Sequence, residues 1–474
     1  MMGLRQGFGP RARLLSLLAA SCLFAMPAAA QTIAITGGTV ALGDGSEPIQ
    51  GGTVVIRNGR IVSAGRGVAV PAGAQVINAS GKWVTPGIVA GFSRVGLLEV
   101  DAVDATNDVQ ASNSPFSAAI DVAPAINPRA SGIAVNRAGG VTRAVVAPGT
   151  ARSIFGGQGA IIDLGADMQP ITRARAFQFV ELGEDGAGDA GGSRASAHVL
   201  FRNALREARD LGRYSGISGG SSASAARTPD QRDLPLEEIP DNRLLSPGAN
   251  RPDDVLLTRF DAAALVPVLN GRQLLLVHVE RASDILQVLG LTREFPRLRL
   301  VLVGAAEGWT VAEAIAASGV PVIANALLDL PGTFEMLAAT QSNVGRMKRA
   351  GVKVALGMIN DDEARQVRLA RQQAGNLVAI ARLPGATGLS WGEALASITS
   401  GPAEAVGLGA EIGSLRAGRR ADVVLWDGDP LENSSAAVMV MIDGIQQPMD
   451  NHQTKLRDRY RTGFDGDLPK AYER

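Results

Sequence analysis

Three histidines and one cysteine bound the chemistry open to this 474-residue chain. His198 falls in a stretch, 190–213, that reads as a surface helix, and His452 falls in a polar tail. His278 is different: it sits near the end of the apolar run Leu275-Leu276-Val277-His278-Val279-Glu280. It reads equally as a metal ligand or as a buried structural histidine. One histidine cannot supply a His-rich zinc site. A site of acids alone favours a harder ion such as Mg or Mn. Glu99, Asp101, Asp104, Glu280 and Glu307 are the acids to consider, against the plainer reading of solvated acids or local salt bridges. Pro148-Gly149 and Gly156-Gly157-Gln158-Gly159 can present backbone N–H groups to an anion, which makes Gly157 and Gln158 ligand-binding candidates. The competing reading of these glycines is a tight strand-to-helix connection. No strand-turn-helix serine motif supports a Ser/His/Asp triad.

The elements that must position these groups show in the hydrophobic pattern. Short strands with turns between them occupy 32–38, 53–57, 60–64 and 75–78, and Asn58-Gly59 is a hairpin signal. They are too short and close for strand–helix units, so they predict a small β-domain. From about residue 84 to 408 the pattern alternates. Apolar β-branched runs at 141–147, 274–279, 298–303, 320–323 and 352–356 are separated by helical stretches at 281–294, 310–318, 337–350 and 390–397. That rhythm predicts a parallel sheet with helices outside, and the number of repeats favours closure into a barrel. Residues 216–227 are a Gly/Ser/Ala stretch inside a long insertion, about 185–255. Short strands return at 421–426 and 437–442, before a polar tail, 448–474, expected to be poorly ordered.

Composition removes several classes of function. Basic and acidic residues balance at 46 each, which argues against a nucleic-acid binder that relies on bulk charge. The N-terminus reads as a signal peptide, 1–30. Arg5, Arg11 and Arg13 precede a short apolar run, 14–26, and Ala28-Ala29-Ala30 offers a cleavage site before Gln31. The run is too short to span a bilayer. Ala19-Ala20-Ser21-Cys22 is a poor lipoprotein signal. The mature chain would be periplasmic or extracellular, free of the membrane, and without a cysteine for thiol catalysis.

Two segments carry a family resemblance. Val84-Thr85-Pro86-Gly87-Ile88-Val89-Ala90-Gly91-Phe92-Ser93-Arg94 resembles the first barrel strand of the metal-dependent amidohydrolases. Ser400-Gly401-Pro402 through Ile412-Gly413-Ser414-Leu415-Arg416-Ala417-Gly418-Arg419-Arg420-Ala421-Asp422 resembles the closing segment of that superfamily, especially its imidazolonepropionase-like branch. The resemblance covers about 32–444. It implies an α/β fold: a (β/α)8 TIM-type barrel, 84–408, plus a small β-sandwich domain built from 31–83 and 409–447. It also implies an active site at the carboxyl ends of the barrel strands. There, one or two divalent metals would lower the pKa of a bound water for hydrolysis of C–N bonds.

Carried over residue by residue, that metal centre is mostly missing. The first strand should give His-x-His and gives Phe92 and Arg94; a later histidine falls at Gly304, and the catalytic Asp at Ile359. His278 alone matches a family ligand. Asp361 can compensate for Ile359 only if its loop is shifted. Phenylalanine has no lone pair, and a guanidinium stays protonated. Arg94 either binds an acidic ligand or a carboxylate such as Glu280, or it plugs a hole left by a drifted site. The expectation is a pseudoenzyme without cofactor: a binding protein for an unidentified small molecule, a homo-oligomer, or a complex with an active relative. The alternative is an active hydrolase on His278, Glu280 and Asp361 with bound Zn or Mn.

Overall fold

A computed structural model describes residues 32–100, 103–215, 255–359 and 365–461. The signal segment, Asp101, most of the long insertion, Asp361 with Asp362, and the end of the tail lie outside the described residues. Within the described residues, no helix is long and apolar enough to cross a membrane.

Two eight-stranded sheets organise the chain. The first joins both ends of the sequence. Strands β1 (Thr32–Val40), β2 (Ile49–Arg57), β3 (Arg60–Gly65), β4 (Gln75–Asn78) and β5 (Trp83–Pro86) come from the N-terminal side. The second sheet intervenes in sequence: β6 (Ile88–Ser93), β7 (Val141–Val146), β8 (Phe155–Asp163), β9 (Ile171–Glu181), β10 (Leu274–Val279), β11 (Leu300–Gly304), β12 (Val322–Ala324) and β13 (Val354–Leu356). The chain then returns to the first sheet as β14 (Val423–Trp426), β15 (Ala437–Ile442) and β16 (Ile445–Gln446). Its strand order is β16-β15-β14-β5-β1-β2-β3, with β4 on β1. β5 lies antiparallel to β14, Val84 opposite Leu425, so the two ends of the chain share one ladder.

The second sheet runs in sequence order, β6 to β13, and nearly closes: Met358 N–H, just past β13, donates to Phe92 O on β6 at 3.2 Å. This is the expected α/β barrel. Its inner layers are Leu274 and Leu276, Phe177 and Phe179, Val301 and Val303, Ile323 and Ala355, packed into one buried cluster. Side chains of alternate parity on the same strands, such as Leu275 and Val277, face the helices instead.

One strand departs from the expected pattern. β8 lies antiparallel to both β7 and β9. The run Gly156–Gly159, read from sequence as a loop, is the first half of this strand. The glycines are there for close approach. A Cβ at Gly159 would stand 2.0 Å from the Phe177 ring, and one at Gly157 would stand 2.7 Å from Ile120 O. Phe177 is fully buried, so it has no room to yield. Gly159→Ala should therefore cost about 1–3 kcal/mol of overpacking, read as a lower urea midpoint at unchanged slope. An unshifted midpoint would mean that the ring is not held against this strand.

The barrel and the terminal sheet are riveted by an arginine. Arg143 on β7 has no exposed surface. Its Nε donates to Asp422 Oδ2 at 2.8 Å, its Nη2 to Asp422 Oδ1 at 3.1 Å and Asp443 Oδ2 at 3.0 Å, and its Nη1 to Thr172 Oγ1 at 2.9 Å. Asp163 stands 3.4 Å from Nη1. Burial alone would favour loss of the proton, but Asp422, Asp443 and Asp163 outweigh it and hold the guanidinium charged. Asp422 is the acid of the Ala421-Asp422 pair that closes the family-like segment. Its main-chain oxygen also accepts from Gly87 N–H at 3.0 Å, at the turn into the first barrel strand.

The polar tail was expected to be poorly ordered; its described part is instead a helix, His452–Arg461, with no buried residue. Thr454 N–H donates to Asn451 Oδ1 at 3.1 Å, which caps its start.

Candidate functional site

The barrel's inner parity places charged groups at its carboxyl end. On β9, Phe177 and Phe179 are followed by Glu181; on β10, Leu274 and Leu276 are followed by His278. Parallel pairing sets His278 directly opposite Glu181. The imidazole is clamped from both sides. Nδ1 lies 2.8 and 2.7 Å from the two oxygens of Glu181, and Nε2 lies 3.0 Å from Glu280 Oε1. Each acid is anchored again by main chain: Gly183 N–H donates to Glu181 Oε1 at 2.7 Å, and Ala306 N–H donates to Glu280 Oε2 at 2.7 Å.

Burial would push the His278 ring toward its neutral form, yet Glu181, and then Glu280, outweigh it and raise its pKa well above the ordinary value. With a carboxylate at each nitrogen, the clamp favours an imidazolium that donates from both. A raised folded-state pKa means that this contribution to stability is complete below the unfolded value, about 6.5, and is lost as pH rises through the folded value. An NMR titration of His278 should show a protonated ring at neutral pH; a midpoint at or below the ordinary histidine value would contradict the clamp.

A second shell of charge surrounds the clamp. Glu335, from the 3-10 turn Phe334–Met336, is buried and flanks the same glycine as Glu181. A Cβ at Gly183 would lie 2.9 Å from Glu181 Oε1 and 3.0 Å from Glu335 Oε1. Burial raises the Glu335 pKa against the opposing pull of Arg194 and His278. Arg194 Nη2 donates to Glu335 Oε2 at 2.9 Å, and its Nε donates to Asp284 Oδ2 at 3.1 Å. His198, expected as a solvated helix residue, is only 26% exposed and stands 3.6 Å from Asp284.

Comparison with known proteins points to one family. Residues 298–450 match the Amidohydrolase family model. An imidazolonepropionase of Acidiphilium cryptum (strain JF-5) is 27% identical over 410 residues, which is 82% of this chain and 90% of that protein. The Amidohydrolase tasK of Hapsidospora irregularis is 27% identical over 408 residues, 80% of this chain; the chain spans only 38% of that longer relative. These matches support a place in the amidohydrolase superfamily. The likeness to imidazolonepropionase supports that branch of it. The crystal structure of an amidohydrolase from Thermotoga maritima MSB8 superposes with a TM-score of 0.70 at 22% identity, covering 87% of this chain and 99% of that one, a likeness of fold.

Amidohydrolases are usually metal-dependent. Phe92 fills the barrel end, its ring 5.5 Å from Phe179. Arg94 is buried, with its guanidinium carbon 5.6 Å from the centre of the Phe92 ring and Nη1 3.4 Å from Ala147 O. Glu280 has His278 and Ala306 N–H as its hydrogen-bond partners. Gly304 has φ +90°, and a Cβ there would meet Glu280 Oε1 at 2.5 Å. The Glu280 carboxylate thus takes up the space that a histidine at Gly304 would need. Ile359 packs against the inner barrel cluster. His278 has no lone pair to spare while both nitrogens donate to carboxylates. Among the described residues, no group of three or more His, Cys, Asp or Glu is arranged to hold a metal ion.

Other candidates lie away from the clamp. Glu99 is exposed and accepts from Ser131 N–H at 2.9 Å, at the start of the helix Ser131–Ala138, so it works as a helix cap. Gly157 and Gln158 belong to β8, and no anion-binding loop forms there. Gln158 is buried and accepts from Gln273 Nε2 at 3.1 Å, a packing role. Glu307 accepts from Ala282 N–H and Ala338 N–H, and so ties loops together. Asp104 starts a 3-10 turn with no buried residue, and His452 starts the exposed last helix. Sequence reasoning found His278 and Glu280 but missed Glu181, Glu335 and Arg194. The available signal for Glu181 was an acid closing an apolar alternating run, the same signature as His278.

Proposed function

We propose that this amidohydrolase-superfamily member is exported through its first 30 residues and acts as a pseudoenzyme. It would bind a small molecule, alone or as the partner subunit of an active relative, without hydrolysing a C–N bond. The observation that carries this reading is the use of both His278 nitrogens by Glu181 and Glu280. The only family ligand retained in the sequence is spent on an internal ion pair. Glu280 and His278 satisfy each other, so neither stands ready as a general base. Phe92 and Ile359 give the barrel end apolar surface where metal donors would stand.

The decisive experiment is elemental mass spectrometry of the chain from Gln31 onward, expressed with Zn and Mn supplied and then desalted. The expected result is metal far below one equivalent, with no turnover on a panel of amides and cyclic amides. Near-stoichiometric metal, lost together with turnover on His278→Ala, would overturn the proposal.

A further inference from the structure

A cavity of about 410 Å³ opens on the same side of the barrel as the clamp. Its walls come from 112–117 after β6, from 151–155 between β7 and β8, from the helices after β9, and from 256–261. That volume suits a small organic ligand. Asp261 builds the floor and is fully engaged: it accepts from Ser117 N–H and Ala119 N–H at 2.8 Å each and from the Thr258 hydroxyl at 2.6 Å.

Two opposite charges remain on the wall. Arg152 is exposed, and Asp189 is half-buried. Asp189 accepts from Arg152 N–H at 3.1 Å and from the Thr150 side chain, yet it forms no ion pair with Arg152 or another cation among the described residues. Arg152 also holds φ +61°, a left-handed conformation that costs a non-glycine residue about 1 kcal/mol or more. The anchored main chain thus keeps the guanidinium and the carboxylate on one wall without letting them meet. Apolar surface completes the cavity: Phe116 and Leu256 are 41% and 49% exposed, and Phe116 stands edge-on to Phe260 at 5.6 Å.

We infer that this cavity binds a small amphipathic zwitterion, an α-amino acid or short peptide with free termini, its carboxylate on Arg152 and its ammonium on Asp189. A guanidinium pairs well with a carboxylate, an acid with no cation paired to it suits an ammonium, and Phe116 and Leu256 receive an apolar side chain. The inference names the ligand class for the binding function proposed above, and so rests on that reading.

Calorimetric titration of the full mature chain tests it, with L-leucine and L-alanyl-L-leucine as probes. N-acetyl and C-amide forms of each probe remove one charge at a time. Binding of the free probe is expected to weaken by roughly tenfold or more on either modification. Arg152→Gly should produce a similar loss while leaving the fold intact, because glycine adopts the φ of that position freely. Asp189→Asn keeps an acceptor for the Arg152 N–H and should weaken the free-amine probes only. Tighter binding of leucine than of the dipeptide assigns the cavity to amino acids, and the reverse order assigns it to peptides. No heat with either probe, equal affinity for the blocked forms, or unchanged affinity in Arg152→Gly would overturn the inference. Release of leucine from the dipeptide is scored separately by amino-acid analysis. Release with Arg152→Gly still defective in binding would sink the non-hydrolytic reading while the cavity assignment stands.

Discussion

Replacing His278 by leucine should cost about 3–5 kcal/mol of stability near neutral pH, the range for stripping one partner from a buried ion pair. Glu181 and Glu280 would then lose the cation between them, each retaining a single main-chain N–H donor. Glu280 is 3% exposed, so water cannot take over that role. The effect should be pH-dependent in a specific sense. The His278 contribution is complete below the ordinary histidine value and is lost as pH rises through the raised folded value, so the deficit relative to wild type should shrink as pH rises from about 6.5 to about 9. Urea unfolding at both values reads this directly. Adding Glu181→Gln to His278→Leu should recover part of the loss, because one uncompensated charge is gone. A deficit of under ~0.5 kcal/mol, or one that does not shrink toward alkaline pH, would mean that the imidazolium is not what holds the barrel end together.

Arg143→Met is the second large effect. It removes the cation that Asp422, Asp443 and Asp163 share, and the expected loss is again about 3–5 kcal/mol. Arg143→Lys should recover little of it. An ammonium keeps the charge but cannot make the paired contacts of Nε and Nη2 with the two oxygens of Asp422. Asp443 should suffer least, since Arg420 also donates to it. Pairing Arg143→Met with Asp422→Leu should cost less than the sum of the two single changes, which a double-mutant cycle would show. Strict additivity, or near wild-type stability in Arg143→Met, would mean that the two sheets are joined by other contacts.

The architecture was legible wherever a local pattern carried it. Alternating apolar runs marked most barrel strands, and the segment around Gly413–Asp422 marked the return to the terminal sheet. β8 was not legible, because glycine is poor in strands and a glycine run reads as a turn. Its glycines answer to Phe177 and Ile120, contacts that no local window contains. At the site, His278 and Glu280 were visible because they sit two residues apart in one strand and its end. Glu181 lies 97 residues before His278, and only the parallel register brings them together. Arg194 meets Glu335 across 141 residues. The sequence alone puts Phe92, Gly304 and Ile359 where the family resemblance implies metal ligands. It could not foresee that a carboxylate occupies the space beside Gly304, because that depends on a side chain from the neighbouring strand end.

The ladder between β5 and β14 also sets the order in which the molecule can be assembled. Trp426 Nε1 donates to Thr85 Oγ1 across 341 residues of chain. As the chain grows, β1, β2 and β3 can pair early, but β5 keeps an open edge until the whole barrel sequence has followed. An unpaired apolar edge is a point of self-association. The terminal sheet is therefore the last part to close, its contact order is high, and folding should be limited by that late docking. Truncations that remove β14 would leave a barrel with a sticky seam, a failure that shows as aggregation rather than as lost ligand binding.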